Sequence, residues 1–130
     1  MTEKLDLYKC NICGNFIEVV FSGEGELVCC GQPMEKLVAK KHTEEMLDEK
    51  HVPVLEKTEN GYDIRVGSVI HPMEENHYIT FIEAISNDKK YVKRKYLEPH
   101  EQPILNLKCS CDKVVAREFC NIHGLWIKEE

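Results

Sequence analysis

Apolar and polar residues in this chain fall into three patterns. From residue 52 onward the apolar residues come in short runs that alternate with polar ones, the two-residue period of β-strands. Segments 54–58 and 62–66 flank Glu59-Asn60-Gly61, and Asn-Gly between two such runs signals a hairpin. Segment 78–85 alternates as a half-buried strand, and Asn87-Asp88 turns it into 91–97. Pro99 and Pro103 bracket a loop, after which 104–109, 114–119 and 125–127 complete the series. Six or seven short strands, with turns about every ten residues and almost no helix, predict an antiparallel β-sandwich. Residues 1–36 differ: an apolar stretch at 16–21, the turn Ser22-Gly23-Glu24-Gly25-Glu26 and Leu27-Val28 predict a hairpin between two cysteine loops. Residues 37–48 form a connector, in which Thr43, Glu45 and Met46 could start one helical turn and His42 has no assigned role.

Composition narrows the class. With 42% hydrophobic and 31% charged residues over 130 positions, the chain is that of a folded protein, not a disordered one. Its apolar runs are far shorter than the roughly 20 residues that cross a bilayer. The segment Met1-Thr2-Glu3-Lys4-Leu5-Asp6 lacks the apolar core of a secretory signal, so the cytoplasm is the expected location. A net charge of −6 disfavours nucleic acid and anionic membrane as partners. Seven cysteines without an export signal point to metal ligation before a disulfide framework.

Two constellations carry that chemistry. In Cys10-Asn11-Ile12-Cys13 the two-residue spacer lets both sulfurs face one ion, and Cys29-Cys30 supplies two more after 15 residues. A segment this small needs such a staple, and four thiolates suit zinc and iron equally. Adjacent cysteines normally point apart, so Cys29-Cys30 is the strained half of the set. The second constellation is spread over loops: Glu49-Lys50-His51-Val52-Pro53, His71 with His77, and Cys120-Asn121-Ile122-His123-Gly124. Four imidazoles and a thiolate form an unusual inventory for one metal, with a carboxylate and an ammonium beside it.

Cys-x2-Cys-x15-Cys-Cys, with Tyr8-Lys9 before it and Gly31 after it, resembles desulforedoxin. The three later motifs resemble the catalytic domain of superoxide reductase, and joined in this order the whole resembles the desulfoferrodoxin family. The resemblance implies a mainly β protein with a desulforedoxin-like domain at 1–37 and an immunoglobulin-like β-sandwich at 38–130. It implies two iron ions per chain, one held by Cys10, Cys13, Cys29 and Cys30. The other would be held by His51, His71, His77 and His123 with Cys120 axial. It further implies one-electron reduction of superoxide to hydrogen peroxide, a rubredoxin-like donor and a homodimer. Lys50 would lure the anion and Glu49 would close the resting oxidised site. Cys109 and Cys111 lie outside the family's ligand pattern and are expected to be spare thiols, buried or reactive, whose nearness to Cys120 leaves oxidation or alternative ligation open. Three other readings stay open: a two-iron electron carrier without catalysis, a zinc ribbon joined to a metal-binding recognition sandwich, and a mononuclear-iron oxygenase. The last usually presents two histidines and a carboxylate.

Overall fold

The computed structural model describes residues 1–41, 48–68 and 71–129, with the side chains of Asp48 and Glu49 also left aside. The helical turn expected from Thr43, Glu45 and Met46, and His42 with it, lie outside the described residues. The chain divides into two compact units, Met1–Val38 and Ala39–Glu130.

The first unit has three short antiparallel strands, β1 (Leu7–Lys9), β2 (Phe16–Glu18) and β5 (Glu35–Lys36), in the order β2-β1-β5. A separate ribbon pairs β3 (Val28–Cys29) with β4 (Gln32–Pro33). The expected hairpin between 16–21 and Leu27-Val28 does not form. Instead Phe16, Ile17 and Glu18 pair with Lys9, Tyr8 and Leu7, and Val19 is tied to Asp6 and Leu5 by backbone bonds of 2.9 and 2.7 Å. Register explains the difference: Leu5, Leu7 and Val19 are thereby buried, while Val20 and Phe21 remain 65% and 86% exposed. Leu5, Leu7, Val19 and Cys10 are the buried apolar residues of this unit, too few to hold a unit of this size unaided.

In the second unit a single helical turn, α1 (Asp48–His51), leads into β6 (Pro53–Lys57). Next come β7 (Gly61–Val66), β8 (Ile79–Ser86), β9 (Val92–Tyr96), β10 (Ile104–Lys108), β11 (Val114–Cys120) and β12 (Gly124–Glu129). They make a three-stranded sheet, β10-β7-β6, and a four-stranded sheet, β12-β11-β8-β9, with every pair antiparallel. Tyr62, Ile64, Val66, Leu105, Ile82, Ala84, Val114 and Ala116 form the core, as the alternation of each strand demands. Among the described residues no helix is long and apolar enough to cross a membrane.

Three local expectations change. The Asn60-Gly61 hairpin forms, with Lys57 opposite Tyr62, but neither residue has positive φ. Gly61 is required by proximity: a Cβ there would lie 1.9 Å from the Leu107 carbonyl oxygen of β10. Strand β8 is buried at seven of its eight positions, not half-buried, because its outer face is covered as well. There Glu83 pairs in register with Arg117 on one side and Arg94 on the other. Arg94 Nη2 lies 2.6 Å from the Glu83 carboxylate, and Arg117 binds its second oxygen. Phe81 stacks on Phe119 at 6.2 Å beside this row. Finally, Cys109 and Cys111 are not spare thiols but are joined by a disulfide across Ser110, with Cα atoms 5.3 Å apart, a separation such a bond requires.

Candidate metal centres

In the first unit the two cysteine loops close on each other. Gly14, with φ +84°, turns the chain after Cys13, and the Cys13 amide donates to Cys10 Sγ at 3.5 Å. The strained pair converges because Cys30 (φ 54°) and Gly31 (φ 74°) are both left-handed, which swings neighbouring side chains to one side. Cys29 Sγ then lies 3.5 Å from Cys13 Sγ and 3.9 Å from Cys30 Sγ. The sulfurs do not share charge evenly. Amide donors at Cys13 and Ile12 lower Cys10 to about 6, whereas the neighbouring sulfurs, Cys13 foremost, push Cys30 up to about 12 and raise Cys29. The polypeptide alone therefore favours a thiolate at Cys10 and resists one at Cys29 and Cys30, and four thiolates fit only around a cation.

In the second unit three segments meet. His51 ends α1, His71 and His77 sit between β7 and β8, Cys120 ends β11, and His123 precedes β12. The imidazoles occupy the corners of a square. Successive ring centroids, His51–His71, His71–His77, His77–His123 and His123–His51, are 4.6, 4.7, 5.0 and 4.6 Å apart, with planes steeply inclined. The diagonal His51–His77 is 6.4 Å with nearly parallel rings, close to what a square of that side requires. His71 Nε2 lies 3.0 Å from His51 Nε2. Cys120 is fully buried, and its Sγ faces His123 Nδ1 at 3.8 Å. One ligating atom from each of the five residues lies within 4.8 Å of all the others.

The environment suits a cation. His71 Nδ1 lies 2.6 Å from the Pro72 carbonyl; a carbonyl only accepts, so Nδ1 carries the proton and Nε2 a lone pair. Burial lowers His71 to about 4, keeping it neutral. His77 Nε2 is buried with no hydrogen-bond partner, an orphan a metal would satisfy. Burial raises Cys120, partly offset by amide donation from His123, 3.4 Å from the sulfur, and from Ile122. A thiolate there needs a positive neighbour.

Spacing did not reveal the groups that brace this square. Asn121 clamps two of its loops: its Oδ1 accepts from the Tyr78 amide at 2.9 Å and its Nδ2 donates to the Asn76 carbonyl at 3.0 Å. Trp126 stacks on His51 at 5.0 Å and donates Nε1–H to the His123 carbonyl at 3.1 Å. Lys40 Nζ donates to the same carbonyl at 3.0 Å and lies 5.5 Å from the Trp126 ring. The one available signal was Trp126 itself, the sole tryptophan, three residues after His123. Lys50 is exposed beside His51, and the side chain of Glu49 is outside the described set.

A family model described as Desulfoferrodoxin matches residues 43–129, and one described as Desulfoferrodoxin, N-terminal domain matches 2–37. A desulfoferrodoxin from Syntrophotalea carbinolica is 50% identical over 129 residues, covering 99% of both chains. A desulfoferrodoxin homolog from Archaeoglobus fulgidus is 54% identical over 126 residues, covering 97% of this chain and 98% of its own. The superoxide reductase structure from Treponema pallidum superposes with a TM-score of 0.74 at 25% identity, over 98% of this chain and 99% of the other. With one family model spanning two thirds of the sequence and a second covering most of what precedes it, the chain belongs to the desulfoferrodoxin family.

Proposed function

We propose that this protein is a superoxide reductase: it takes superoxide, one electron and two protons to hydrogen peroxide, releasing no dioxygen. The observation that carries the reading is the square of His51, His71, His77 and His123 with the Cys120 sulfur beside it. Such a donor set fits a mononuclear iron, and iron bound there would supply the single electron. Four neutral imidazoles and one thiolate leave a divalent ion with net positive charge, which attracts a small anion even in an acidic protein. The likeness to the Treponema pallidum superoxide reductase, over nearly the full length of both chains, supports the same reading.

The chain's own residues divide the remaining work. His71, neutral and fixed by Pro72, keeps its Nε2 lone pair directed at the centre. The amides of Ile122 and His123 hydrogen-bond the Cys120 sulfur and temper how much charge it donates. We assign to Lys50 Nζ the attraction of superoxide and the ordering of the water that delivers protons. Glu49, of opposite sign, cannot help superoxide arrive; its proposed role is to displace the product and close the oxidised site. Cys10, Cys13, Cys29 and Cys30 form the second centre, which stabilises the first unit and stores an electron. A rubredoxin-like protein is the proposed donor. Self-association is proposed through the first unit, where Ile12, Val20, Phe21 and Val28 are all more than half exposed.

Iron quantitation with visible spectra at successive redox states tests the reading. Two irons per chain that titrate separately are expected. Zinc in both groups, and a colourless protein, would leave only the zinc-ribbon alternative. The electron-carrier alternative predicts that azide or cyanide leaves the spectrum of the iron at the histidine square and Cys120 unchanged.

A further inference from the structure

The disulfide between Cys109 and Cys111 closes the loop joining β10 to β11, while Cys10, Cys13, Cys29, Cys30 and Cys120 remain thiols. The bond encloses only Ser110, so it removes little freedom from the unfolded chain. The loop is already pinned on both sides. The Cys109 amide donates to the Asn60 carbonyl at 2.9 Å, and the Tyr62 hydroxyl donates to the Asp112 carbonyl at 3.1 Å. A staple is redundant where hydrogen bonds hold both ends.

The location favours reactivity. Cys109 and Cys111 are half-buried and line a cleft of about 590 Å³ together with Tyr91, Lys93, Lys108 and Asp112. A small thiol fits there. The cleft lies before the first residue of β11 and Cys120 is its last, so the length of the strand, roughly 20 Å at 3.3 Å per residue, separates it from the histidine square. Within the loop the Cys111 amide donates to Cys109 Sγ at 3.4 Å. That bond favours negative charge on the Cys109 sulfur and makes it the better leaving group.

We propose that Cys109–Cys111 is an exchangeable dithiol–disulfide couple, accepting two electrons from a thiol reductant at a site distinct from both metal-ligand groups. The reductant's thiolate attacks Cys111 Sγ. A mixed disulfide forms, the bond to Cys109 breaks, and Cys109 leaves as a thiolate that takes a proton from solvent. A second reductant thiolate attacks the reductant's sulfur in that mixed disulfide, releasing the oxidised reductant and Cys111, which takes the second proton. Two reductant thiols lose two electrons and two protons; the protein pair gains them. The proposal does not depend on the superoxide reading.

The test uses the full-length, metal-loaded protein with glutathione as the probe. Trypsin cuts after Lys108 and Lys113, so residues 109–113 are recovered apart from every other cysteine. With excess reduced glutathione, followed by N-ethylmaleimide, that peptide is expected to carry two labels while circular dichroism is unchanged. Glutathione disulfide should abolish both labels. In the single variants, Cys109 of Cys111→Ser should label about tenfold faster than Cys111 of Cys109→Ser, reflecting its amide donor. Labels that appear only in denaturant, or only as the fold is lost, would overturn the proposal by making the bond structural. Failure of glutathione disulfide to restore the bond would overturn it too, and equal labelling rates would overturn the assignment of Cys109 as leaving group.

Discussion

In the first unit four cysteines arrive from two tight loops onto a scaffold of two- and three-residue strands. In the second, four histidines and a cysteine are set on loops of a seven-stranded sandwich with its own core. The ligands differ accordingly: Cys13 and Cys30 are exposed, whereas His51, His71 and Cys120 are buried. One unit is built by its metal, and the other is built for its metal. A small domain lacking apolar area borrows stability from coordination. A sandwich with a core can hold an open ligand set in place before any ion arrives, so the coordination sphere need not be complete.

Stripping the metal should separate the two units most sharply. A chelator under reducing conditions, or Cys13→Ser, is expected to unfold Met1–Val38 and leave Ala39–Glu130 folded. Amide NMR reads this directly: resonances of Leu7 and Val19 should collapse toward random-coil positions while those of Ile64 and Trp126 keep their dispersion. Equal loss in both units would erase the contrast.

Next in size is the scaffold's buried charge. Glu83→Ala leaves Arg117, itself buried, without its carboxylate and should cost about 3–5 kcal/mol in urea unfolding of the second unit. The first unit's iron spectrum should not move. A loss below 1 kcal/mol would mean that solvent reaches the pair.

Lys50→Ala acts on the site and not on the fold. The bimolecular rate with superoxide should fall about tenfold and its ionic-strength dependence should flatten. Glu49→Ala should leave that rate intact and shift the absorption of the oxidised protein. An unchanged rate in the lysine variant would remove the proposed lure.

The smallest effect concerns the β8–β9 turn, where the Ser86 hydroxyl and the Lys90 amide hold Asp88 below its ordinary value of 3.8. The folded state prefers the ionised form, so this contribution is present above 3.8 and fades as pH falls through the lowered folded value. Asp88→Asn should therefore cost a little stability at neutral pH, with the difference vanishing as pH falls below the lowered folded value. Parallel unfolding curves at low pH would contradict the assignment.

What was legible in the sequence follows the same division. The strand segments of the sandwich could be read from alternation, and the clustering of cysteines and histidines from their spacing. Short-range patterns failed where long-range contacts decide. Gly61 answers to the Leu107 carbonyl and not to turn geometry. Glu83 sits buried in β8 because two arginines on neighbouring strands meet it. In the first unit the hairpin reading lost to a register that buries Val19, since so few apolar residues compete there. Asn121, Trp126 and Lys40 brace the square through hydrogen bonds to backbone groups, which leave little trace in spacing.

The central claim is that the histidine square and Cys120 hold an iron that reduces superoxide without dismutating it. Product stoichiometry tests this most directly: pulses of superoxide are mixed with the reduced protein, and hydrogen peroxide and dioxygen are measured together. The account predicts one peroxide for each superoxide consumed and no dioxygen, with the iron of the histidine square oxidised in step. Peroxide at half that yield, accompanied by an equal amount of dioxygen, would contradict it.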